Sequence, residues 1–288
     1  MAAASAATVF RSVPAEARVS RSSGALRLRI LSALVLLPLG IAVAWFGAPW
    51  LSIVTALAGA GMAWEWARLC RAGRVGSSGA ALIAVVLAAV VAAAIGMVAV
   101  GIAISIAGAA LVLLLARREA GDALWLALGA LWLALPCVLL LWLSHGGGTG
   151  AGRATVLWVF AIVWATDIGA YAVGRRVGGP LLAPRWSPRK TWAGLVGGAL
   201  CAALAGWGAA HLVEAASLPV VLLSAGLAIV GQFGDLAESV AKRRFGVKDS
   251  SGLIPGHGGL LDRLDGLLAV IPAVALLTAA GGGLAAWR

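Results

Sequence analysis

Ionisable side chains are concentrated between Ser239 and Asp265. Nine residues of this segment are ionisable, in a chain of 288 residues of which only 11% are charged. They are Lys242, Arg243, Arg244, Lys248, Asp249, His257, Asp262, Arg263 and Asp265. Cations next to clustered carboxylates are suited to binding a polyphosphate together with a divalent metal ion. The segment therefore predicts phosphate chemistry.

Two pairs of acids could form the metal site. Asp235 and Glu238 are three residues apart near the end of one apolar segment, and Asp262 and Asp265 are three apart at the start of the next. Residues at this spacing share one face of a helix. If the chain between the pairs folds back, a divalent cation would relieve the repulsion of the carboxylates, and oxygen ligands favour Mg²⁺ over Zn²⁺. The alternative is surface ion pairing of these acids with Lys242, Arg243 and Arg263.

Two further acids lie within or beside apolar segments. Asp167 is surrounded by apolar residues, where a charge costs about 2.5–3.5 kcal/mol on membrane insertion scales, and such residues usually face a polar cavity. Tyr171 follows four residues later on the same helical face. The alternative for Asp167 is an ion pair with an Arg of a neighbouring helix. For Glu65, a role in the site and an ion pair with Arg68 or Arg71 both stay open.

Two other segments have residues suited to anion binding. Arg189 and Lys190 are expected to open a helix in the sequence SPRKTW, where the free N–H groups and the helix dipole attract anions. The alternative is a basic anchor at the membrane surface. The turn PGHGG around His257 would let backbone amides approach a phosphate. The alternative is that His257 stabilises the turn through a hydrogen bond.

The elements that position these residues are membrane helices. A chain with 62% hydrophobic residues cannot be arranged as a water-soluble globule of this length. Because a spanning helix needs about 20 residues, the ranges without charge predict an all-α polytopic bundle of nine transmembrane helices. The predicted spans are residues 30–46, 50–69, 79–97, 99–116, 124–143, 154–174, 194–213, 218–235 and 266–285.

This pattern predicts three regions along the chain. Residues 1–29 are expected to form a disordered cytoplasmic tail, and 30–153 the N-terminal transmembrane helices. Residues 154–288 form the C-terminal transmembrane catalytic region, with the signature loop 235–265. A cleaved signal peptide is the alternative for the tail, and it is disfavoured because the charged region is too long.

The basic residues predict the orientation in the membrane. With the N-terminus inside, 20 of the 22 Lys and Arg residues lie on the cytoplasmic side, and only Arg153 and Arg288 lie outside. The net charge of +11 then belongs to the membrane face at which lipid headgroups and nucleotide phosphates are both available. Because the basic residues are spread over five short segments, nucleic-acid binding has little support.

The segment from Ser239 to Asp265 resembles the signature of the phosphatidate cytidylyltransferase family, also called CDP-diacylglycerol synthases. Its matching residues are Ser239, Lys242, Arg243, Lys248, Asp249, Ser251, Ile254, Pro255, His257, Gly258, Gly259, Asp262, Arg263 and Asp265. The likeness covers residues 155–270 and includes Asp167, Tyr171 and the segment 187–192. Two positions depart from the family: Ala241 replaces a larger apolar residue, and Ala193 stands where a Glu commonly follows Thr-Trp.

The resemblance implies that CTP and phosphatidate react to give CDP-diacylglycerol and pyrophosphate, with Mg²⁺ as cofactor. It implies that Asp235, Asp262 and Asp265 coordinate the metal, with Asp167 as a further ligand or support. His257 would donate to a phosphate oxygen. The residues implied to hold the triphosphate and the lipid phosphate are Arg189, Lys190, Lys242, Arg243, Lys248 and Arg263. The implied substrate site also includes Ser187, Thr191, Ser239 and Tyr171.

The implied setting is a multi-pass protein of the cell membrane, the inner one where the cell has two, with its site facing the cytoplasm. Membrane lipids surround it, and a homodimer is one option for its assembly. Two other functions stay open: a CTP-dependent enzyme for another lipid phosphate and, from a different class, an ion or phospholipid transporter. A transporter would place polar residues along the depth of several spans, whereas here they collect at the inner face.

Overall fold

The described residues fold mainly into helices. The computed structural model describes residues 34–35, 37–147, 151–254, 258–281 and 284, so the predicted tail 1–29 and His257 lie outside the described residues. The first five helices are α1 (Leu37–Phe46), α2 (Trp50–Cys70), α3 (Gly76–Ala94), α4 (Val98–Ala116) and α5 (Ala123–Ser144). The others are α6 (Gly152–Val177), α7 (Trp192–Leu212), α8 (Ser217–Arg244) and α9 (Leu261–Ala279). An antiparallel hairpin of β1 (Leu181–Ala183) and β2 (Ser187–Thr191) joins α6 to α7.

The prediction of an all-α polytopic membrane protein is confirmed. Six helices, α3 to α8, are long and apolar enough to cross a membrane by length and composition. Helices α2 and α9 have 21 and 19 residues, and they carry Glu65 and the acids Asp262 and Asp265 near one end. Nine helices are present in the described ranges, and the number that cross the membrane stays a prediction.

The predicted signature loop 235–265 is helical at both of its ends. Helix α8 has 28 residues, more than the roughly 20 that cross a bilayer, and its last turns include Asp235, Glu238 and Lys242. Helix α9 begins at Leu261 and therefore includes Asp262 and Asp265. Regular helix geometry thus fixes the spacing of both acid pairs.

The prediction that Arg189 and Lys190 open a helix is wrong. Both lie in β2, and α7 begins only at Trp192. Thr191 is the N-cap of α7, because its Oγ1 accepts a hydrogen bond from the backbone N–H of Gly194 at 3.0 Å. A Thr hydroxyl is a favourable N-cap, so the strand ends and the helix begins at this residue.

Small residues bring α6 and α7 close together. A Cβ atom on Gly169 would lie 2.6 Å from the carbonyl oxygen of Gly197, and one on Gly194 would lie 3.0 Å from that of Ala170. Glycines at such positions let two membrane helices approach at backbone distance. The close contact holds the start of α7, and with it the end of β2, against α6.

Helix α9 connects the two halves of the bundle. It contacts α6 and α8 of the C-terminal half, and α2 and α5 of the N-terminal half. Its first turn, with Asp262 and Asp265, therefore lies where helices from both halves meet.

Candidate active site

Three carboxylates from α8 and α9 form the centre of the site. Asp235, Glu238 and Asp265 each offer an oxygen atom, and these atoms lie within 4.8 Å of one another. Asp235 and Glu238 share one face of α8, as predicted from their spacing. Gly234 lets the two helices approach, because a Cβ atom there would lie 2.8 Å from the carbonyl oxygen of Asp265. We call Asp235, Glu238 and Asp265 the carboxylate cluster.

The cluster differs from the predicted metal set in one member. Asp262 was expected beside Asp235 and Asp265, but its Oδ1 atom lies 2.5 Å from the Nζ of Lys242. Its Oδ2 accepts from the backbone N–H groups of Ser250 and Gly259, both at 2.9 Å. Asp262 thus takes the ion-pair alternative, and Glu238 stands in its place among the gathered carboxylates.

Lys242 joins the two acid pairs. Its Nζ donates to Oε2 of Glu238 at 2.9 Å and to Oδ1 of Asp262 at 2.5 Å. The residue is 9% exposed, so both contacts are shielded from water. Its predicted role as a phosphate ligand stays a prediction, because the structure gives its ammonium two carboxylate partners.

The hairpin of β1 and β2 brings Lys190 to the cluster. The Nζ of Lys190 lies 2.5 Å from Oδ2 of Asp235 and 3.4 Å from the carbonyl oxygen of Gln232. Arg243 of α8 donates through Nε to the carbonyl oxygen of Trp186 at 3.3 Å. The end of α8 is therefore bonded to the hairpin at two places, and Arg189 is exposed next to Lys190.

Asp167 lies beside the carboxylate cluster. It lines a cleft between α6, α8 and α9, together with Thr166, Gly231, Gly266 and Val270. Its carboxylate is close enough to interact electrostatically with Asp235, Asp265, Lys190 and Arg263. The predicted polar environment of Asp167 is therefore present, and its neighbours are the acids and cations of the site.

Other predicted site residues surround this centre. Lys248 and Arg263 are exposed, and Ser239 is buried within α8. Tyr171 is 66% exposed, and its hydroxyl accepts a hydrogen bond from Nη1 of Arg175 at 2.7 Å. Ser187 lies in β2 and is paired with Ala183 of β1. Thr191 caps α7.

The structure decides between the two alternatives for Glu65. It is fully buried, and its carboxylate accepts hydrogen bonds from the backbone N–H groups of Leu260 and Leu261 at 2.8 and 2.7 Å. Of the two alternatives for Glu65, the ion pair with Arg68 or Arg71 does not form, since Arg68 donates to the carbonyl oxygen of Gly73 and Arg71 pairs with Glu119. An acid among apolar residues indicates that Glu65 has a polar partner, but the sequence does not identify that partner.

The carboxylate cluster fits a divalent cation. All three side chains offer oxygen, the ligand that Mg²⁺ prefers. Oε1 of Glu238 is buried and has no hydrogen-bond partner within the described ranges. A buried carboxylate oxygen without a donor is costly, and a metal ion would satisfy it. Asp235, Glu238 and Asp265 are therefore the residues suited to hold Mg²⁺, with Asp167 nearby.

The fold and site define a polytopic helical membrane protein whose carboxylates and cations meet at one end of the bundle. The chain belongs to the cytidylyltransferase family, whose family model matches residues 27–280. The resemblance drawn from the signature is thus confirmed.

Two of three named relatives match most of the chain. It is 39% identical to the phosphatidate cytidylyltransferase of Brucella suis over 250 residues, which are 85% of this chain and 90% of that protein. It is also 39% identical to that of Pseudomonas aeruginosa over 281 residues, 90% of this chain and 99% of the relative. The likeness to the phosphatidate cytidylyltransferase of Haemophilus influenzae is 45% over 127 residues, 42% of this chain and 44% of the relative.

Proposed function

We propose that this chain transfers the cytidylyl group of CTP to phosphatidate, giving CDP-diacylglycerol and pyrophosphate in phospholipid biosynthesis. The main support is the carboxylate cluster, which lies at one end of a membrane bundle with Lys190 in direct contact. Such a site can bind a polyphosphate while a lipid phosphate approaches from the membrane. The names of the relatives, which cover most of the chain, support the same substrates.

The reaction needs alignment of two anions more than proton transfer. The phosphate of phosphatidate is largely ionised at neutral pH, since the second pKa of a phosphomonoester is about 6. One of its oxygens forms a bond to the α-phosphorus of CTP, while the bond from this phosphorus to the bridging oxygen of the β-phosphate breaks and pyrophosphate leaves. The nucleophile gives up no proton, so the protein acts by orienting the two phosphates and offsetting their charge.

The residues of the site divide between these tasks. Asp235, Glu238 and Asp265 would hold Mg²⁺, which when bound offsets the negative charge of the triphosphate. The cations proposed to orient the phosphates are Arg189, Lys190, Arg243, Lys248 and Arg263, and His257 is proposed to donate to a phosphate oxygen. Lys242 forms ion pairs with Glu238 and Asp262. It would have to give up one of these partners before it could bind a substrate phosphate.

The proposed location is the cell membrane, with the site at the cytoplasmic surface. This orientation follows from the positive-inside rule, since 20 of the 22 basic residues then lie inside. CTP is a cytoplasmic solute and phosphatidate a membrane lipid, so an active site at this surface has access to both.

A direct assay tests the proposal. Purified protein in detergent is incubated with labelled CTP, Mg²⁺ and phosphatidate, and lipid-soluble CDP product is measured. We expect product that depends on all three components and is lost in Asp265→Asn. Absence of lipid-soluble product would overturn the proposed function, and product only with an ether-linked or isoprenoid phosphate would favour the related enzyme class.

A further inference from the structure

We propose that Glu65 is a positioning residue of the active site, which holds the N-terminus of α9 and thereby the acids that follow it. Glu65 lies on α2, in the N-terminal half of the chain. The acids Asp262 and Asp265 lie in the first turns of α9. The inference rests on the proposed function for its activity measurements, whereas the contact itself is tested independently.

Glu65 binds the start of α9 with both of its carboxylate oxygens. Oε1 accepts from Oγ of Ser251 at 2.5 Å and from the N–H of Leu260 at 2.8 Å. Oε2 accepts from Oγ of Ser250 at 3.1 Å and from the N–H of Leu261 at 2.7 Å. Each oxygen thus receives one hydroxyl and one amide, and all four donors come from the signature segment.

The two amides explain why an acid is needed here. The first N–H groups of a helix have no partner within the helix, and the positive end of the helix dipole lies beside them. A carboxylate that accepts from backbone N–H groups forms charge-assisted hydrogen bonds, roughly twice as strong as neutral ones. Glu65 is fully buried, so neither its carboxylate nor these bonds are screened by solvent.

Hydrogen bonds connect Glu65 to the carboxylate cluster. Oγ of Ser250 lies 3.1 Å from Oε2 of Glu65 and 3.0 Å from Oδ2 of Asp262, so its single hydroxyl proton is shared between the two carboxylates. The other oxygen of Asp262 binds Lys242, and Lys242 binds Glu238 of the cluster. A continuous series of contacts therefore runs from α2 through the loop to α8.

Gly259 allows this close approach. A Cβ atom at this position would lie 2.9 Å from Oε1 of Glu65 and 3.0 Å from its Oε2. The loop backbone thus lies directly against the carboxylate. Because Asp265 follows Leu261 by one helical turn, the direction in which its side chain points depends on where Glu65 fixes the start of α9.

The variant Glu65→Gln tests the inference. It keeps the size of the side chain, but its amide group would direct N–H donors towards other donors. We expect faster hydrogen exchange at the amides of Leu260 and Leu261 and a kcat lowered about 10- to 100-fold, as for residues that orient metal ligands. The Mg²⁺ concentration for half-maximal activity should rise. Glu65→Asp, which keeps the charge, should recover part of the activity.

Glu119→Gln is the matched control. Glu119 also accepts from two serine hydroxyls, those of Ser77 and Ser78, and pairs with Arg71. It has no role in holding α9, so its loss should leave the exchange at Leu260 and Leu261 and the Mg²⁺ dependence unchanged. A change of the same kind in both variants would show general loosening and overturn the inference.

Further outcomes separate this inference from the proposed function. Unchanged exchange or unchanged kcat in Glu65→Gln would overturn the positioning role. If Glu65→Gln does not fold, Ser251→Ala removes one of the four donors and should give a smaller change in the same direction; no change in exchange or kcat there would overturn the inference. A wild-type protein without lipid-soluble product would refute the proposed function, while the exchange measurement would still decide whether Glu65 holds α9.

Discussion

The Nζ of Lys242 lies 2.5 Å from Oδ1 of Asp262, and this ion pair connects α8 to α9. The same ammonium binds Glu238 at 2.9 Å. One cation thus fixes a member of the carboxylate cluster and an acid outside it. The two acids of α9 consequently have different roles: Asp265 belongs to the carboxylate cluster, whereas Asp262 connects α9 to Lys242 of α8.

This difference predicts distinct metal dependence for two variants. Asp265→Asn would remove one of the carboxylates proposed to hold Mg²⁺, so the Mg²⁺ concentration for half-maximal activity should rise by at least about tenfold. Asp262→Asn should lower turnover with a smaller change in Mg²⁺ dependence, because it weakens the contact to Lys242. The measurement is initial rate against Mg²⁺ concentration for both variants and for Asp235→Asn.

Glu238→Gln completes the comparison. Oε1 of Glu238 is buried without a hydrogen-bond partner in the described part of the chain. We therefore expect Glu238→Gln to raise the Mg²⁺ concentration for half-maximal activity as Asp265→Asn does. If Asp262→Asn instead showed the larger rise in the Mg²⁺ requirement, the original assignment of Asp262 as a ligand would be restored and Glu238 withdrawn.

Gly259 and Gly252 offer a steric test of the loop. Gly259→Ala would place a Cβ against Ser250 and Glu65, and overpacking of this kind costs about 1–3 kcal/mol. Gly252 lies in the same loop with no atom within 4 Å of such a Cβ, so Gly252→Ala should change stability by less than about 0.5 kcal/mol. Thermal unfolding and activity are measured for both.

Equal behaviour of the two alanine variants would contradict the packing of Gly259 against Glu65. Neither glycine has a positive φ angle, so backbone strain does not distinguish them. Any difference between the two variants therefore reflects only the space available for the added Cβ atom.

Much of the fold followed from the sequence because membrane helices are encoded locally. Long apolar ranges gave the helices, and the spacing of Asp235 and Glu238 placed both on one face of α8. The hairpin before α7 was missed, since cations directly before an apolar run also suit a helix start. Only the hydroxyl of Thr191, which caps the helix, marks the boundary at Trp192.

The partners within the site depended on tertiary contacts. The two acid pairs have the same spacing, so the sequence could not show which of the four acids come together. In the structure both acids of α8 join Asp265, which α8 approaches closely at Gly234. For Glu65, helical spacing suggested Arg68 or Arg71. Its actual partners lie 185 to 196 residues further along the chain, beyond the reach of local patterns.

Glu119 should make stability depend on pH. Hydrogen bonds from Ser77 and Ser78 lower the pKa of Glu119 from 4.5 to about 2. Because the pKa is lower in the folded state, this contribution is fully present above pH 4.5 and is lost as the pH falls towards 2. The melting temperature of wild type should exceed that of Glu119→Gln at neutral pH, and the gap should close on acidification. A constant gap would contradict the lowered pKa.

The orientation of the connections can be tested with reporter fusions. Arg71, directly after α2, pairs with Glu119, which lies between α4 and α5. Arg244, at the end of α8, pairs with Asp122 of the same connection at 2.7 Å. The segments near Gly76, Glu119 and Val247 therefore lie on one face of the bundle. Fusions at these positions and at Ala183 should report the cytoplasm, and a fusion after Arg288 the outside. A cytoplasmic C-terminus would contradict the prediction of nine spans.

Lys248 tests whether the basic residues of the signature bind substrate or only orient the protein. It is exposed, so Lys248→Ala should leave folding and topology unchanged. Loss of a charge-assisted contact to a phosphate costs about 1.5–3 kcal/mol, or roughly a ten- to hundredfold loss in kcat/KM. Lys242→Ala should in addition lower the melting temperature, because it leaves Glu238 and Asp262 without their cation. Kinetics with CTP and phosphatidate varied separately assign Lys248 to one substrate, and unchanged constants for both would limit it to a topological role.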